Sequence, residues 1–579
     1  MEIAKTLLSG DEAIARGAWE AGCKVAAAYP GTPSTQILEN LANYQDVYCE
    51  WSTNEKVALE VALGAALAGV RSLCAMKHVG LNVAADPLFS SAYIGVNAGM
   101  VIVTADDPGL HSSQNEQDNR YYGMFAKIPV LTPSDSQEAK DFTKLAFEIS
   151  EQFDIPVILR ITTRIAHSKT VVELQQRAEI ADKGYTKNVA KMNLLPQFAR
   201  KLHANLEERI KKLEAYANNC SINKIIEGKK NVGVIADGVA FQYAREVFPK
   251  ASFLKLGMVW PFPKALVKEF CRNKKHLYVI EEVDPFLETQ IKALGIKVIG
   301  KDKLPLIDEL NPRIIRNALT EKKINVQPET TLPARPPALC PGCPHAGLFY
   351  LLQKKDIIIT GDIGCYTLGT YPPHNAMDSC VCMGASITLA HGIEKALKYS
   401  KKENDQPTKR VVSVIGDSTF FHMGITGLIN AIYNKGNQIT VIVDNRTTGM
   451  TGHQDHPGTG KTLMGEETTM LNTEDIAKAC GVKKVYVIDP YNIKENRTLF
   501  REILADPDPA VIVSKRTCAL LVSRKPAKKV LADNCIGCKL CLALGCPAIS
   551  FVNDKAVINS AFCVGCGMCV QLCAKQAIV

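Results

Sequence analysis

Eight cysteines near the end of the chain fall into two runs of matching design: Cys535, Cys538, Cys541 and Cys546, then Cys563, Cys566, Cys569 and Cys573. The runs read CIGCKLCLALGCP and CVGCGMCVQLC. Three thiolates at CxxCxxC spacing hold one [4Fe-4S] cubane, and the fourth cysteine of each run crosses to the other cluster. The spacing predicts one cluster on Cys535, Cys538, Cys541 and Cys573, and a second on Cys563, Cys566, Cys569 and Cys546. The first run departs by placing four residues before its last cysteine, and the second ends in Cys-Ala rather than Cys-Pro. Two structural zinc sites would also use paired CxxC, but a repeated triplet argues against zinc. Such clusters pass electrons singly, so the rest of the chain must supply or accept them.

A second constellation lies mid-chain. The apolar run VVSVIGDSTFF ends in Gly416-Asp417-Ser418, and ITVIVDN ends in Asp444-Asn445, 26 residues after Ser418. Read as parallel strands, both end at the carboxyl edge of a sheet, where such sheets bind ligands. A hard cation such as Mg2+ takes oxygen ligands and bridges a diphosphate to a carboxylate. Asp417 offers the carboxylate, Asn445 an amide oxygen, and Thr447 a backbone carbonyl. Gly416 lets the turn approach the phosphates. A lone GDS is equally an ordinary strand-to-helix turn; the second strand ending at this spacing favours the metal. The pair is similar to the thiamine diphosphate signature, GDG through NN, with Ser418 for its last Gly and Asp444 for its first Asn. Neither change removes an expected ligand. That cofactor also needs a carboxylate on N1′ of its aminopyrimidine, favouring the tautomer that takes the C2 proton. Glu55, in STNEKVALEVALGAALAG, is the candidate. Glu60 is its rival one turn on, and a solvated helix-start glutamate is the bland alternative.

These residues need elements to position them. At 579 residues, 46% hydrophobic and 22% charged, the chain is an ordinary globular protein of roughly three to five domains. No apolar run reaches the ~18 residues of a membrane span. The start, MEIAKTLLSGDEAIARGAWEAG, lacks the apolar core of a signal peptide and enters a helix after Ser9-Gly10-Asp11. Twenty cysteines then imply a reducing cytoplasm, and exposed clusters suit an anaerobe. The net charge of +9 is scattered, which argues against nucleic acid but helps steer an acidic partner such as ferredoxin. Apolar strands alternate with helical patterns: KVAAAYP, VRSLCAM, GMVIVTADDP and IPVILRITT before residue 165, then NVGVIADG, ASFLKLG, KHLYVIEEV and IKVIG, then IIITGD, RVVSVIGDS, QITVIVDN and PAVIVSKR. The expected fold class is α/β, multidomain with parallel sheets, followed by a C-terminal α+β two-cluster domain. Residues 166–230 read as a charged helical connector, VQPETTLPARPPALCPG as a proline-rich linker, and SRKPAKK as the approach to the cysteine module.

Taken together, the chain resembles the indolepyruvate branch of the 2-oxoacid:ferredoxin oxidoreductases over essentially its whole length. The resemblance rests on YPGTPST (Tyr29 to Thr35), NEKVALE (Asn54 to Glu60), HSSQNEQDNR (His111 to Arg120), CPGCPH (Cys340 to His345), GDIGCYTLG (Gly361 to Gly369), GDSTFFH (Gly416 to His422), DNRTTGMTG (Asp444 to Gly452) and the cysteine runs. The lengthened first run is tolerated in this branch. The resemblance implies four domains: a pyrimidine-binding thiamine diphosphate domain at 1–165, the connector and a transketolase-C-like domain at 166–330, a diphosphate- and Mg2+-binding domain at 331–525, and a ferredoxin domain at 526–579. It implies oxidative decarboxylation of aryl pyruvates with coenzyme A as co-substrate and ferredoxin as acceptor, in a hetero-oligomer with a smaller subunit. The same chemistry on pyruvate or 2-oxoglutarate, or a non-catalytic electron-transfer subunit, are the competing readings.

The resemblance also assigns residues. Glu55 matches the glutamate at N1′. Thr32 matches a threonine near cofactor and substrate, with a helix N-cap as its plain alternative. Related pyruvate enzymes hold the substrate carboxylate with an arginine where this chain reads ADDPGLH, with Asp106 and Asp107; Arg120 and His111 are the substitutes on offer. Finally, Cys340, Cys343, Cys365 and Cys518 match the cysteines of a proximal third [4Fe-4S] cluster in related enzymes. Buried structural thiols and a zinc half-site are the alternatives.

Overall fold

A computed structural model describes residues 4–324, 333, 336–353, 356–400 and 409–579. The predicted proline-rich linker lies for the most part outside these residues. The chain forms two units, Met1–Pro328 and Glu329–Val579.

The first unit holds thirteen strands among its described residues. They are β1 (Lys5–Ser9), β2 (Val25–Ala28), β3 (Tyr48–Trp51), β4 (Ser72–Lys77), β5 (Met100–Asp106), β6 (Val130–Leu131), β7 (Val157–Thr162), β8 (Lys169–Glu173), β9 (Lys224–Ile226), β10 (Lys229–Asp237), β11 (Ala251–Leu256), β12 (Met258–Trp260) and β13 (His276–Ile280). The main sheet runs β12-β6-β7-β5-β4-β2-β3, parallel except for β12 on β6. Every residue of β5 and β7 is buried, as expected of parallel strands covered on both faces. The chain leaves β2 for β3 on one side and leaves β4 for β5 on the other. The carboxyl ends of β2 and β4 therefore flank a topological switch point, the crevice where open α/β sheets take ligands.

A smaller sheet, β13-β10-β11-β9, is parallel apart from β9. Three features depart from the sequence reading. IKVIG forms no strand; Ile299 makes only an isolated bridge to Tyr278. The stretch read as a helical connector begins with β8, which pairs antiparallel with β1; only Pro196–Asn219 is a long helix. After β11 the chain turns at Gly257 and β12 joins the main sheet rather than its own.

The second unit contains β14 (Ile357–Gly361), β15 (Ser379–Cys380), β16 (Arg410–Gly416), β17 (Ile439–Asp444), β18 (Lys484–Ile488), β19 (Ala510–Lys515), β20 (Ile549–Val552) and β21 (Lys555–Ile558). Six form one parallel sheet, β15-β14-β16-β17-β19-β18. Connections diverge after β14 and β16, so the switch point lies between Asp362 and Asp417. The cysteine module follows with the hairpin β20-β21. Its Cys541, Leu544, Met568, Cys569 and Leu572 share a core with Leu348, Phe349 and Ile493 of the preceding domain. Among the described residues, no helix is long and apolar enough to cross a membrane.

Candidate functional site

In the first unit, Glu55 opens the helix Glu55–Leu67, which Asn54 caps by accepting from the Val57 N–H at 3.0 Å. Ala58, Leu59, Ala62 and Ala66 bury one stripe of this helix against the sheet. Glu55 itself is 5% exposed. Its side chain lies on Gly80, where an added Cβ would come within 2.6 Å of Cγ and 2.7 Å of Oε1. Glu60 instead points outward, 45% exposed, and pairs with Lys56. Of the two candidate carboxylates, only Glu55 is held inside.

Thr32 lies in the turn after β2. The N-cap of the next helix is Ser34, not Thr32, and Ser34 Oγ donates to the Gly31 carbonyl at 2.8 Å. The N-cap alternative for Thr32 therefore fails. Beside this turn stands Lys77, the last residue of β4; a Cβ on Gly31 would lie 3.1 Å from Lys77 Cβ.

Arg120 is not a substrate anchor. Its guanidinium is fully buried, 2.8 Å from Glu281, 3.2 Å from Asp237 and bonded to Asp118. It also donates to the carbonyls of Glu282 and Asp284. These bonds tie the main sheet to the smaller one, because Asp237 ends β10 and Glu281 follows β13. His111 is exposed and faces Glu309 at 3.6 Å. The two aspartates of ADDPGLH hold the backbone and one another's neighbours. Asp106 accepts from Arg160 Nε at 2.8 Å, and Asp107 accepts from Ser112 N, Ser113 Oγ and Thr163 Oγ1.

In the second unit, Asp417 follows β16 at the switch point. Its Oδ1 accepts from the Ser418 N–H and its Oδ2 from the Arg446 N–H, both at 2.9 Å. His456 Nε2 stands 3.2 Å from Oδ2. Burial works against the Asp417 anion, but His456 and these donors hold it below the usual carboxylate range. Burial and the Asp417 charge together push Asp444 up to about 6. Two carboxylates crowded in a dry site favour a cation between them. Asn445 and Thr447 are buried beside them, with Asn445 Oδ1 accepting from the Thr447 N–H at 3.3 Å. Thr447 Oγ1 is buried without a hydrogen-bond partner. Gly416 is required, since a Cβ there would meet the Tyr366 ring at 2.7 Å. The donor set of carboxylate and amide oxygens, with the orphaned Thr447 hydroxyl beside it, fits a hard cation and an anionic ligand. Sequence reasoning missed His456, which has no spacing signal relative to Asp417.

Among the described residues no three of His, Cys, Asp or Glu stand close enough to hold a single metal ion, but Cys340, Cys365 and Cys518 lie within electrostatic reach of Cys343. Burial raises the Cys343 thiol, and the other three cysteines raise it further. Burial lifts Cys365 to about 11, with Cys340, Cys518 and Asp417 adding. Of these, Cys365 and Cys518 also feel the Asp417 carboxylate. The CPGC loop also backs onto the C-terminal module. A Cβ on Gly342 would meet Val564 at 2.3 Å and lie 3.7 Å from Cys566 Cβ.

The eight C-terminal cysteines sort into two sets. Cys535, Cys538, Cys541 and Cys573 line a cavity of about 110 Å³, and Cys546, Cys563, Cys566 and Cys569 line a second. Beyond burial, Cys541 is raised by Cys538, Cys535 and Cys573, and Cys569 by Cys566, Cys546 and Cys563 before Cys541. Each set takes its fourth member from the other run. A third cavity, about 450 Å³, is lined by Arg446, Lys515, Arg516, Lys525 and Cys566.

Comparison with known proteins agrees. Residues 362–514 match the family model described as thiamine pyrophosphate enzyme, C-terminal TPP binding domain. Residues 16–216 match pyruvate flavodoxin/ferredoxin oxidoreductase, thiamine diP-bdg, and residues 527–574 match the 4Fe-4S dicluster domain. Indolepyruvate oxidoreductase subunit IorA of Archaeoglobus fulgidus is 42% identical across 99% of this chain and 97% of its own. IorA of Methanothermobacter marburgensis gives the same figures, and IorA of Pyrococcus abyssi is 42% identical across 99% and 96%. A solved 2-oxoglutarate:ferredoxin oxidoreductase from Magnetococcus marinus aligns at 18% identity over 54% of this chain and 64% of that one, with a TM-score of 0.46. These relatives and family models place the chain among the 2-oxoacid:ferredoxin oxidoreductases, with thiamine diphosphate-binding domains and a 4Fe-4S dicluster domain. Within that class the chain belongs to the IorA family of indolepyruvate oxidoreductase subunits.

Proposed function

We propose that the chain is the catalytic subunit of an enzyme that converts an aryl pyruvate, such as indolepyruvate or phenylpyruvate, and coenzyme A into arylacetyl-CoA and CO2. The two electrons released go one each to two ferredoxins. Its relatives, indolepyruvate oxidoreductase subunits, support the substrate class. The observation that carries the reaction class is the closeness of Cys365 and Cys518 to the turn after Asp444: the Cys518 N–H donates to the Asn445 carbonyl at 3.0 Å, and a Cβ on Gly449 would lie 3.5 Å from Asn445 Nδ2 and 3.6 Å from Cys365 Sγ. Electron carriers and a diphosphate site so close have no purpose in a non-oxidative decarboxylase.

Thiamine diphosphate, when bound, would supply the nucleophilic carbon and the electron sink that 2-oxoacid decarboxylation needs. The chain's own residues do the rest. Glu55 holds a proton at N1′ from a buried position that water does not compete for. Asp417, Asn445 and the Thr447 carbonyl hold Mg2+, with Gly416 and Ser418 at the diphosphate and Thr32 beside the substrate. Cys535, Cys538, Cys541 and Cys573 hold one [4Fe-4S] cluster; Cys563, Cys566, Cys569 and Cys546 hold the second. Cys340, Cys343, Cys365 and Cys518 hold a third, nearest Asp417. The cationic cavity beside Cys566 suits the phosphates of coenzyme A. A smaller subunit completes the enzyme, in the reducing cytoplasm that twenty cysteines require.

The test is the product. Anaerobic enzyme given indolepyruvate and coenzyme A should release CO2 and the arylacetyl thioester in equal amounts, read by mass spectrometry. Free arylacetaldehyde as sole product would refute the oxidative, acylating reading.

A further inference from the structure

A 2-oxoacid carries its carboxylate into a site that excludes water, and a desolvated carboxylate needs a charged hydrogen-bond donor. The cations at the carboxyl edge of the first unit's main sheet can be taken in turn. Arg120 is enclosed by Asp118, Asp237 and Glu281. Arg160 is paired with Asp106 at 2.8 Å. Arg164 lies outside, bound to Glu309, which also faces His111. His78 has both ring nitrogens at carbonyls, those of Ala105 and Asn115. Lys77 is different. It ends β4 at the switch point, its Cβ against Gly31 in the Thr32 turn. Three residues on, Gly80 supports the Glu55 carboxylate. Its Nζ donates to the Ser112 carbonyl and makes no ion pair among the described residues, although an ammonium has three protons to give. The nearby Asp107 is already satisfied by Ser112 N, Ser113 Oγ and Thr163 Oγ1.

We propose that the Lys77 ammonium binds the carboxylate of the 2-oxoacid substrate, between the Thr32 turn and Glu55. The assignment rests on the 2-oxoacid oxidoreductase reading above. Burial draws Lys77 down to about 8, with Asp107 opposing, so it stays largely protonated at neutral pH while poorly hydrated. A weakly hydrated ammonium gives up little solvation on meeting a carboxylate.

The test uses the assembled holoenzyme carrying Lys77→Met, Lys77→Gln or Lys77→Arg. Steady-state kinetics are measured over a 2-oxoacid series, with thiamine diphosphate affinity by fluorescence quenching and melting temperature alongside. The Met and Gln variants should raise KM for every 2-oxoacid by about 10- to 100-fold, the worth of one charge-assisted bond. Their kcat, cofactor affinity and melting temperature should move far less, and Lys77→Arg should recover most of the loss. An unchanged KM would overturn the proposal. So would losses of cofactor affinity, kcat and KM in step, which mark a structural lysine. A wild-type enzyme inactive on all 2-oxoacids would refute the underlying reading itself.

Discussion

The side chain of Glu55 lies so close to Gly80 that an added Cβ would stand 2.7 Å from its Oε1. One residue at the start of a helix and one three positions beyond β4 thus fix a carboxylate at the crevice of the first sheet. Gly80→Ala should displace that carboxylate without removing it. Turnover should fall about 100-fold, as for an ångström-scale misplacement, while Glu55→Gln should cost about 10²- to 10⁴-fold. Both variants should still bind thiamine diphosphate by circular dichroism. Near-normal turnover of Glu55→Gln would mean that another group serves N1′.

Asp417 should matter for holding the cofactor rather than for the proton. Asp417→Ala removes the carboxylate that the Arg446 N–H and His456 surround. Calorimetric titration should then show Mg2+-dependent thiamine diphosphate binding abolished, with iron content unchanged.

The ferredoxin-like module should lose clusters in crossed fashion. Cys573→Ala should eliminate the cluster of Cys535, Cys538 and Cys541, and Cys546→Ala that of Cys563, Cys566 and Cys569. Each variant should lose about four irons. Electron paramagnetic resonance that showed either variant damaging the cluster of its own run would contradict the crossing.

Iron analysis also decides the third cluster. The anaerobic chain should carry about twelve irons, falling to about eight in Cys340→Ala. About eight in the wild type, unchanged by that substitution, would reduce the four cysteines to buried thiols.

The first unit should gain stability from loss of a buried charge. Burial raises Glu282 from 4.5 to about 7, with Arg160 only partly opposing. A carboxyl raised in the folded state favours folding below its unfolded value, and that contribution disappears as pH rises through 7. Glu282→Gln keeps an acceptor for the Leu310 N–H and cannot ionise. It should unfold with nearly wild-type midpoint at pH 4 and be more stable by about 3 kcal/mol at pH 8. Equal stability at both pH values would contradict this.

The sequence shows most where chemistry is local. Thiolates three apart and an apolar strand ending in Gly-Asp are short-range signals, so the two cysteine sets and the Asp417 turn could be read directly. Long-range pairing hid the remainder. Arg120 reads as a free cation until the fold brings Asp237 and Glu281 to it, 117 and 161 residues away. Lys5–Ser9 is too short and too exposed to announce a strand, and it forms one only because Lys169–Glu173 returns beside it. Met258–Trp260 follows β11 so closely that sequence gives no hint of its change of sheet. Lys77 looks like any lysine ending a strand; only the order β4-β2-β3 puts it at the switch point.

The most direct measurement is reduction of ferredoxin by the anaerobically purified enzyme, assembled with its smaller subunit, across a panel of 2-oxoacids with and without coenzyme A. Reduction should require coenzyme A and run fastest with indolepyruvate and phenylpyruvate. Pyruvate or 2-oxoglutarate outrunning both would contradict the aryl assignment, and no reduction with any 2-oxoacid would mean that the chain does not catalyse 2-oxoacid oxidation.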